Sequence, residues 1–175
     1  MPHKFQPDII GSALLNYFSG NTNAKLDVFS DLADPDEIPI SHFFRTWDEM
    51  PAIEQKAIDL CTGKVLDVGA AAGCHSLVLQ ERAMQVKAID VSAGAVKVMI
   101  DRGIDDVLQQ DFFTFSNEKF DTILLLMNGI GICGKLEKLD RFFERANALL
   151  NPGGQILLDS SDILFMFEEE DGSVM

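Results

Sequence analysis

Asp67 stands within one short apolar run, Val65-Leu66-Asp67-Val68, and Asp90 at the end of another, Val86-Lys87-Ala88-Ile89-Asp90. Between them lies Gly69-Ala70-Ala71-Ala72-Gly73, five residues with little or no side chain, over which the backbone can turn sharply and lie close to a ligand. A carboxylate accepts hydrogen bonds from hydroxyl and ammonium groups. Asp90 follows Gly69 by about 20 residues, the offset at which an acidic side chain accepts from both hydroxyls of a ribose. Two roles fit Asp67: bracing the turn through its backbone N–H groups, or binding a ligand's ammonium group directly or through water.

The elements that must hold these groups read as strand, turn, helix. Val65, Leu66 and Val68 leave no polar face, which predicts a strand buried on both sides in a parallel sheet. Cys74 to Ala83 has helical composition, with Leu77 and Val78 to pack on the sheet, and its start presents free N–H groups. The dinucleotide fingerprint G-x-G-x-x-G needs glycines at 69, 71 and 74, where Gly69, Ala71 and Cys74 stand, so it is met at one position of three. An acidic residue followed by G-x-G-x-G is met by Asp67, Gly69, Ala71 and Gly73 except at the middle glycine. The segment thereby resembles the first motif of class I S-adenosylmethionine-dependent methyltransferases.

The rest of the chain repeats the alternation of strand and helix. A second strand, Val86 to Ile89, is closed by Asp90; Ser92 is placed to cap a helix that runs to about Asp101 with Val96, Met99 and Ile100 inward, and Gly103 stops it. A short third strand is Val107-Leu108-Gln109. The fourth, Thr122 to Met127, is continuously apolar and therefore expected at the centre of the sheet. A helix with Leu136, Leu139, Phe143, Ala146 and Leu150 on one stripe ends at Asn151-Pro152-Gly153-Gly154, before a fifth strand from Gln155 to Leu158. VLDVGAAAG, VKAIDVS, QQDFF, FDTILLLMNGIG and LLNPGGQILLDSSD follow the motif order of that family over roughly 63–161.

The resemblance implies an α/β fold with a doubly wound, mostly parallel, Rossmann-like sheet, and S-adenosylmethionine as cofactor. It implies that Asp111 and Phe112 hold the adenine, one through its carboxylate and the next through its backbone N–H. It also implies that Val91 belongs to the cofactor site with Asp90, and that Asn128 and Gly129 line the space between sulfonium and acceptor. Arg45, before the first motif, is a candidate partner for the cofactor's carboxylate. His75, at the start of the first helix, is the alternative. The cofactor-binding set is thus Arg45, Asp67, Gly69, Ala71, Gly73, Asp90, Val91, Asp111, Phe112 and Asn128.

The division expected is a helical N-terminal extension or lid over 1–60 and a cofactor-binding α/β domain over 61–175. Asp8 to Phe18 fits one amphipathic helix ending near Gly20. Asn21 to Ile40, with Asp31, Asp34, Asp36, Glu37, Pro35 and Pro39, reads as an irregular acidic connection. His42, Phe43, Phe44, Arg45 and Trp47 either pack in a core or cover the cofactor, just before a helix from Met50 to Leu60 with Pro51 in its first turn and Asp48 near its start. Beyond the fifth strand, Ile163 to Phe167 fit one helical turn and Glu168 to Gly172 an acidic turn into a hairpin. The family continues with a helix and two strands, so a truncated piece is expected, with Ile156-Leu157-Leu158 as an open edge for a second copy.

Of 175 residues, 47% are hydrophobic, enough for one domain with a core. The net charge of −14 disfavours a phosphate backbone as partner. The chain has neither an apolar run of about 18 residues nor the pattern of a secretory leader, which points to the cytoplasm and away from membranes. Cys61, Cys74 and Cys133 lack paired spacing, so neither a disulfide framework nor a metal site is expected.

Methyl transfer from a sulfonium is an in-line displacement with a good leaving group; the protein mainly aligns the reactants and excludes water. A general base is needed only for an acceptor protonated at neutral pH. His42, Asp159 and Asp162 are available, but no spacing makes a dyad, and no catalytic residue is assigned. The acceptor expected is a small molecule or a protein side chain. A nicotinamide-dependent oxidoreductase and a non-catalytic cofactor-binding module are the alternatives.

Overall fold

A computed structural model describes residues 7–29 and 35–161. Its centre is a five-stranded sheet built from β3 (Lys64–Val68), β4 (Gln85–Asp90), β5 (Val107–Gln109), β6 (Phe120–Leu125) and β7 (Leu150–Leu158). Every pairing is parallel and the order is β5-β4-β3-β6-β7. The chain runs outward from β3 to one edge, then returns to place β6 on the other side. This reversal of strand order opens a crevice at the C-terminal ends of the middle strands.

Alternation sorts the strand residues into two cores. Leu66 and Val68 of β3 join Ile123 and Leu125 of β6 on the face covered by α5 (Leu139–Leu149), where Phe120, Phe142, Ala146 and Leu149 are buried. Val65 and Leu124 face the other way, toward α2 (Ala52–Leu60) and α3 (Cys74–Glu81), with Ile58, Val78 and Leu79. Both faces are covered, which is why these strands carry nearly unbroken apolar runs. Each fully buried Leu, Ile or Phe contributes about 1.5–3 kcal/mol of hydrophobic stabilisation.

Helix α4 (Ala93–Asp101) is capped by Ser92, whose hydroxyl accepts from the Ala95 N–H at 2.9 Å, and it ends before Gly103 at φ 87°. On it packs α1 (Ile9–Phe18). Gly11 and Gly94 meet at this crossing, where a Cβ on Gly94 would lie 2.5 Å from the Gly11 backbone. No larger residue fits there. Asp8 joins the two helix starts: Oδ1 accepts from the Gly11 N–H, and Oδ2 from the Ser92 hydroxyl and the Gly94 N–H, each at 2.9 Å. Burial works against its charge, but these three donors hold the Asp8 carboxyl below the ordinary range.

Several expectations need correction. Residues 21–40 are not irregular throughout: β1 (Lys25–Val28) pairs antiparallel with β2 (Asp36–Pro39), placing Leu26 opposite Ile38, with a Lys25–Glu37 ion pair across the strands. Asp31 and Asp34 lie outside the described residues. Helix α2 begins at Ala52 with Pro51 as its N-cap, because a 3-10 turn at Trp47–Glu49, closed by a Thr46–Glu49 capping box, occupies the preceding stretch. On α4, Ala95 and Val98 face inward with Met99, while Ile100 is 56% exposed. On α5 the buried stripe is Phe142, Ala146 and Leu149; Phe143 and Leu136 are exposed. The centre of the sheet is β3, and β6 is its interior neighbour. The segments expected at 163–167 and 168–172, with Asp162, lie outside the described residues. Among the described residues β7 is an edge strand, no helix is long and apolar enough to cross a membrane, and no three His, Cys, Asp or Glu are grouped to hold a metal ion.

Candidate functional site

Two adjoining cavities sit over the C-terminal ends of β3, β4 and β6. The larger is about 1170 Å³ and the smaller about 280 Å³, and both are lined by Val68, Gly69, Asp90, Val91 and Ile132. Asp67, Ala71, His75 and Asn128 face the larger cavity, and Asp111, Phe112 and Phe113 the smaller. Asp90 stands at the junction.

The turn after β3 is held against the neighbouring strand. The N–H groups of Gly69 and Ala70 donate to the Ile89 carbonyl at 2.9 and 3.2 Å, and the Ala71 N–H donates to Asp90 Oδ2 at 2.9 Å. Asp90 Oδ1 accepts from the Ser92 N–H at 2.8 Å. Each carboxylate oxygen therefore has one backbone donor and retains acceptor capacity. Burial pushes the Asp90 carboxyl above the ordinary range, against the pull of its Ser92 and Ala71 donors. Gly69, at φ 70°, lines both cavities, and a Cβ on it would meet no protein atom within 4 Å.

Gly73 does different work. A Cβ there would lie 2.1 Å from Ile104 Cδ1, and the residue is absent from both cavity walls, so it is a packing glycine at the start of α3. Asp67 is 2% exposed and accepts from the Ser76 hydroxyl at 2.6 Å; burial raises its pKa. Asp111 is exposed, and its Oδ1 accepts from the Phe113 N–H at 2.7 Å. The Phe112 ring is buried against Phe142. Val91 is exposed beside Asp90. After β6, Met127 and Asn128 adopt φ 59° and 61°, and the Asn128 side-chain oxygen accepts from the Ser161 N–H and hydroxyl at 2.7 and 2.9 Å.

Arg45 is not in the cavity wall. One of its guanidinium nitrogens donates to both oxygens of Glu54 at 2.8 Å, and its Nε–H to the His42 carbonyl at 2.8 Å. Glu54 also meets His75 Nε2 at 2.8 Å, so the group that reaches the cavity is His75. Burial opposes a charge on His75, but hydrogen bonding to the Cys74 sulfur and to Glu54 and the nearby charge of Asp67 outweigh it, and its pKa is pushed up to about 10. Glu54 is correspondingly lowered, its burial overcome by His75 and Arg45.

The aromatic stretch mostly packs half-buried against the core. Phe44 lies under Arg102 at 4.8 Å and beside Tyr17, and Trp47 lies under Arg82 at 4.0 Å; of this group only Phe43 lines the larger cavity. His42 is likewise off the wall, with its pKa lowered by burial and by Arg45. Sequence reading missed Asp8, Glu54 and the hairpin residues Leu26, Asp27 and Val28 as parts of the site's surroundings. Their contacts span distant segments and leave no local pattern, although the acidic residue three after Pro51 marks a helix start.

A sequence model of the methyltransferase domain matches residues 65–154. The chain is similar to the crystal structure of a SAM-dependent methyltransferase from Bacteroides fragilis in complex with S-adenosyl-L-homocysteine. That similarity has a TM-score of 0.89 and 44% identity, covering 98% of this chain and 73% of that one. A sugar N-methyltransferase from Streptoalloteichus shares the fold at a TM-score of 0.59 and 20% identity, over 77% of this chain and 57% of that one. An amino pentose methyltransferase from Micromonospora echinaspora does so at 0.53 and 21%, over 65% and 50%. Comparison with curated proteins finds no match.

Proposed function

Since the chain belongs to the S-adenosylmethionine-dependent methyltransferases, we propose that the joined cavities hold S-adenosylmethionine and that the acceptor is a small molecule or a protein side chain. The observation that carries the assignment of residues is Asp90 at the junction of the two cavities, buried, with one backbone donor on each oxygen and acceptor capacity left on both. The fit is supported at Gly69, where a side chain would project from the wall shared by both cavities without touching protein.

In this reading Asp90 accepts from the ribose hydroxyls, and Asp111 with the Phe112 backbone and Val91 borders the adenine in the smaller cavity. Gly69, Ala71 and Asp67 adjoin the amino-acid tail, and Asn128 borders the space toward the acceptor. When bound, the cofactor supplies an electrophilic methyl group on a sulfonium. The chain's own part is alignment and exclusion of water. Residues 1–60 serve as cover and 61–175 as the cofactor domain; Asp8, Ile9, Ile10, Leu26 and Phe43 from the first segment line the larger cavity. The free, buried cysteines suit a reducing cytoplasmic setting. The edge of β7 is a candidate surface for a second copy, which the mass in solution tests.

Cys74 at the third position of the dinucleotide fingerprint disfavours the nicotinamide alternative. Calorimetry with S-adenosylhomocysteine and NADH, side by side, tests the reading: saturable binding of the first alone is expected. Binding of NADH alone would overturn it. Affinity for the first without methylation of any extract component would favour the non-catalytic module.

A further inference from the structure

His75 is the only side chain able to carry a positive charge among the described residues that line the larger cavity, whose carboxylates are Asp8, Asp27, Asp67 and Asp90. Of the charged side chains in that wall, only His75 can attract an anionic ligand group. Behind His75 the charges are arranged in a buried row. Arg45 binds both Glu54 oxygens at 2.8 Å and Glu54 binds His75 Nε2 at 2.8 Å, with the three side chains 9%, 5% and 6% exposed. With Arg45 already matching the Glu54 charge, a protonated His75 leaves the row with one positive charge in excess at its cavity end. Buried ionic groups of this kind often contribute no more net stability than an apolar core of the same volume.

Building on the cofactor assignment above, we propose that His75 receives the carboxylate of the cofactor's amino-acid tail, and that Arg45 and Glu54 are positioning residues that keep the imidazole ring charged and oriented. Arg45, the sequence's first candidate for this carboxylate, then acts through two intervening side chains. The arrangement also ties the segment before β3, which supplies Arg45 and Glu54, to recognition of the cofactor.

The test compares S-adenosylhomocysteine with 5′-methylthioadenosine, which lacks the amino-acid tail, by calorimetry on the full chain. The wild type is expected to bind the first at least tenfold more tightly. His75→Gln keeps the Arg45–Glu54 pair; it is expected to weaken S-adenosylhomocysteine at least tenfold and to leave methylthioadenosine within twofold. Glu54→Gln is expected to reduce the same preference in part. Equal weakening of both ligands in His75→Gln would make the residue structural and overturn the proposal. Unchanged S-adenosylhomocysteine affinity in that variant would overturn it in favour of an acceptor's carboxylate. A wild type that binds both ligands equally would overturn it while leaving the cofactor assignment standing; one that binds neither would remove both. If His75→Gln does not fold, the wild type is measured against the carboxamide of S-adenosylhomocysteine, where a loss under twofold would again overturn it.

Discussion

The carboxylate of Asp159, just past β7, accepts hydrogen bonds from the consecutive N–H groups of Met127 and Asn128 at 3.0 and 2.7 Å. Both donors are left-handed, at φ 59° and 61°, a conformation costly for residues with side chains. One carboxylate thus holds a strained turn in place at the wall of the larger cavity. Asp159→Ala is expected to destabilise the chain by about 1.5–3 kcal/mol, the worth of hydrogen bonds to a charged group. Urea unfolding measures it, and an unchanged midpoint would show that the turn holds itself.

Asp90→Ala is expected to weaken S-adenosylhomocysteine by about 1.5–3 kcal/mol, again from hydrogen bonds to a charged acceptor. Isothermal calorimetry on the folded variant checks this; unaltered affinity would remove Asp90 from the ribose. Gly69→Val combines a β-branched residue at φ 70° with a side chain in the shared wall, and loss of ligand binding is expected from it.

Ala71 sits at φ 50°, where alanine carries a left-handed penalty of about 1–2 kcal/mol and glycine does not. Glycine loses about 0.5–1 kcal/mol more in chain entropy on folding. Ala71→Gly should therefore raise stability by roughly 0.5–1 kcal/mol, with the hydrogen bond to Asp90 kept. Denaturant midpoints of the two proteins decide it, and a lower midpoint for the variant would contradict the expectation.

His75 gives a pH dependence of definite sign. Its folded pKa of about 10 lies above the ordinary 6.5, so the folded state binds the proton more tightly than the unfolded state. The stability this supplies is fully present below about pH 6.5 and is lost as pH rises toward 10. Unfolding free energies at pH 7, 8.5 and 10 should fall in that order, and His75→Gln should flatten the slope.

What the sequence disclosed was local. Val107–Gln109 emerged as a strand with the expected ends, and Ser92 and Gly103 bracketed their helix, because caps and apolar runs act over a few residues. Ile100 and Phe143 were assigned to the wrong faces, since an apolar residue beside a helix's buried stripe is indistinguishable from one within it until the neighbouring element is known. The β1–β2 pair was invisible because its few apolar residues gain their partners across the chain. Asp90 and Gly69, paired by their spacing, both line the two cavities. The Arg45–Glu54–His75 row was not legible, because an ion pair between a loop and two helices has no signature in order or distance along the chain.

Ser92 is shared by two structures: its N–H donates to Asp90, and its hydroxyl donates to Asp8, which also binds the starts of α1 and α4. Asp90 and the Asp8 carboxylate that anchors the first helix thus share one hydrogen-bonding neighbour. Thermodynamic reciprocity then applies: whatever factor docking of α1 contributes to ligand affinity, ligand binding returns to the docking of α1.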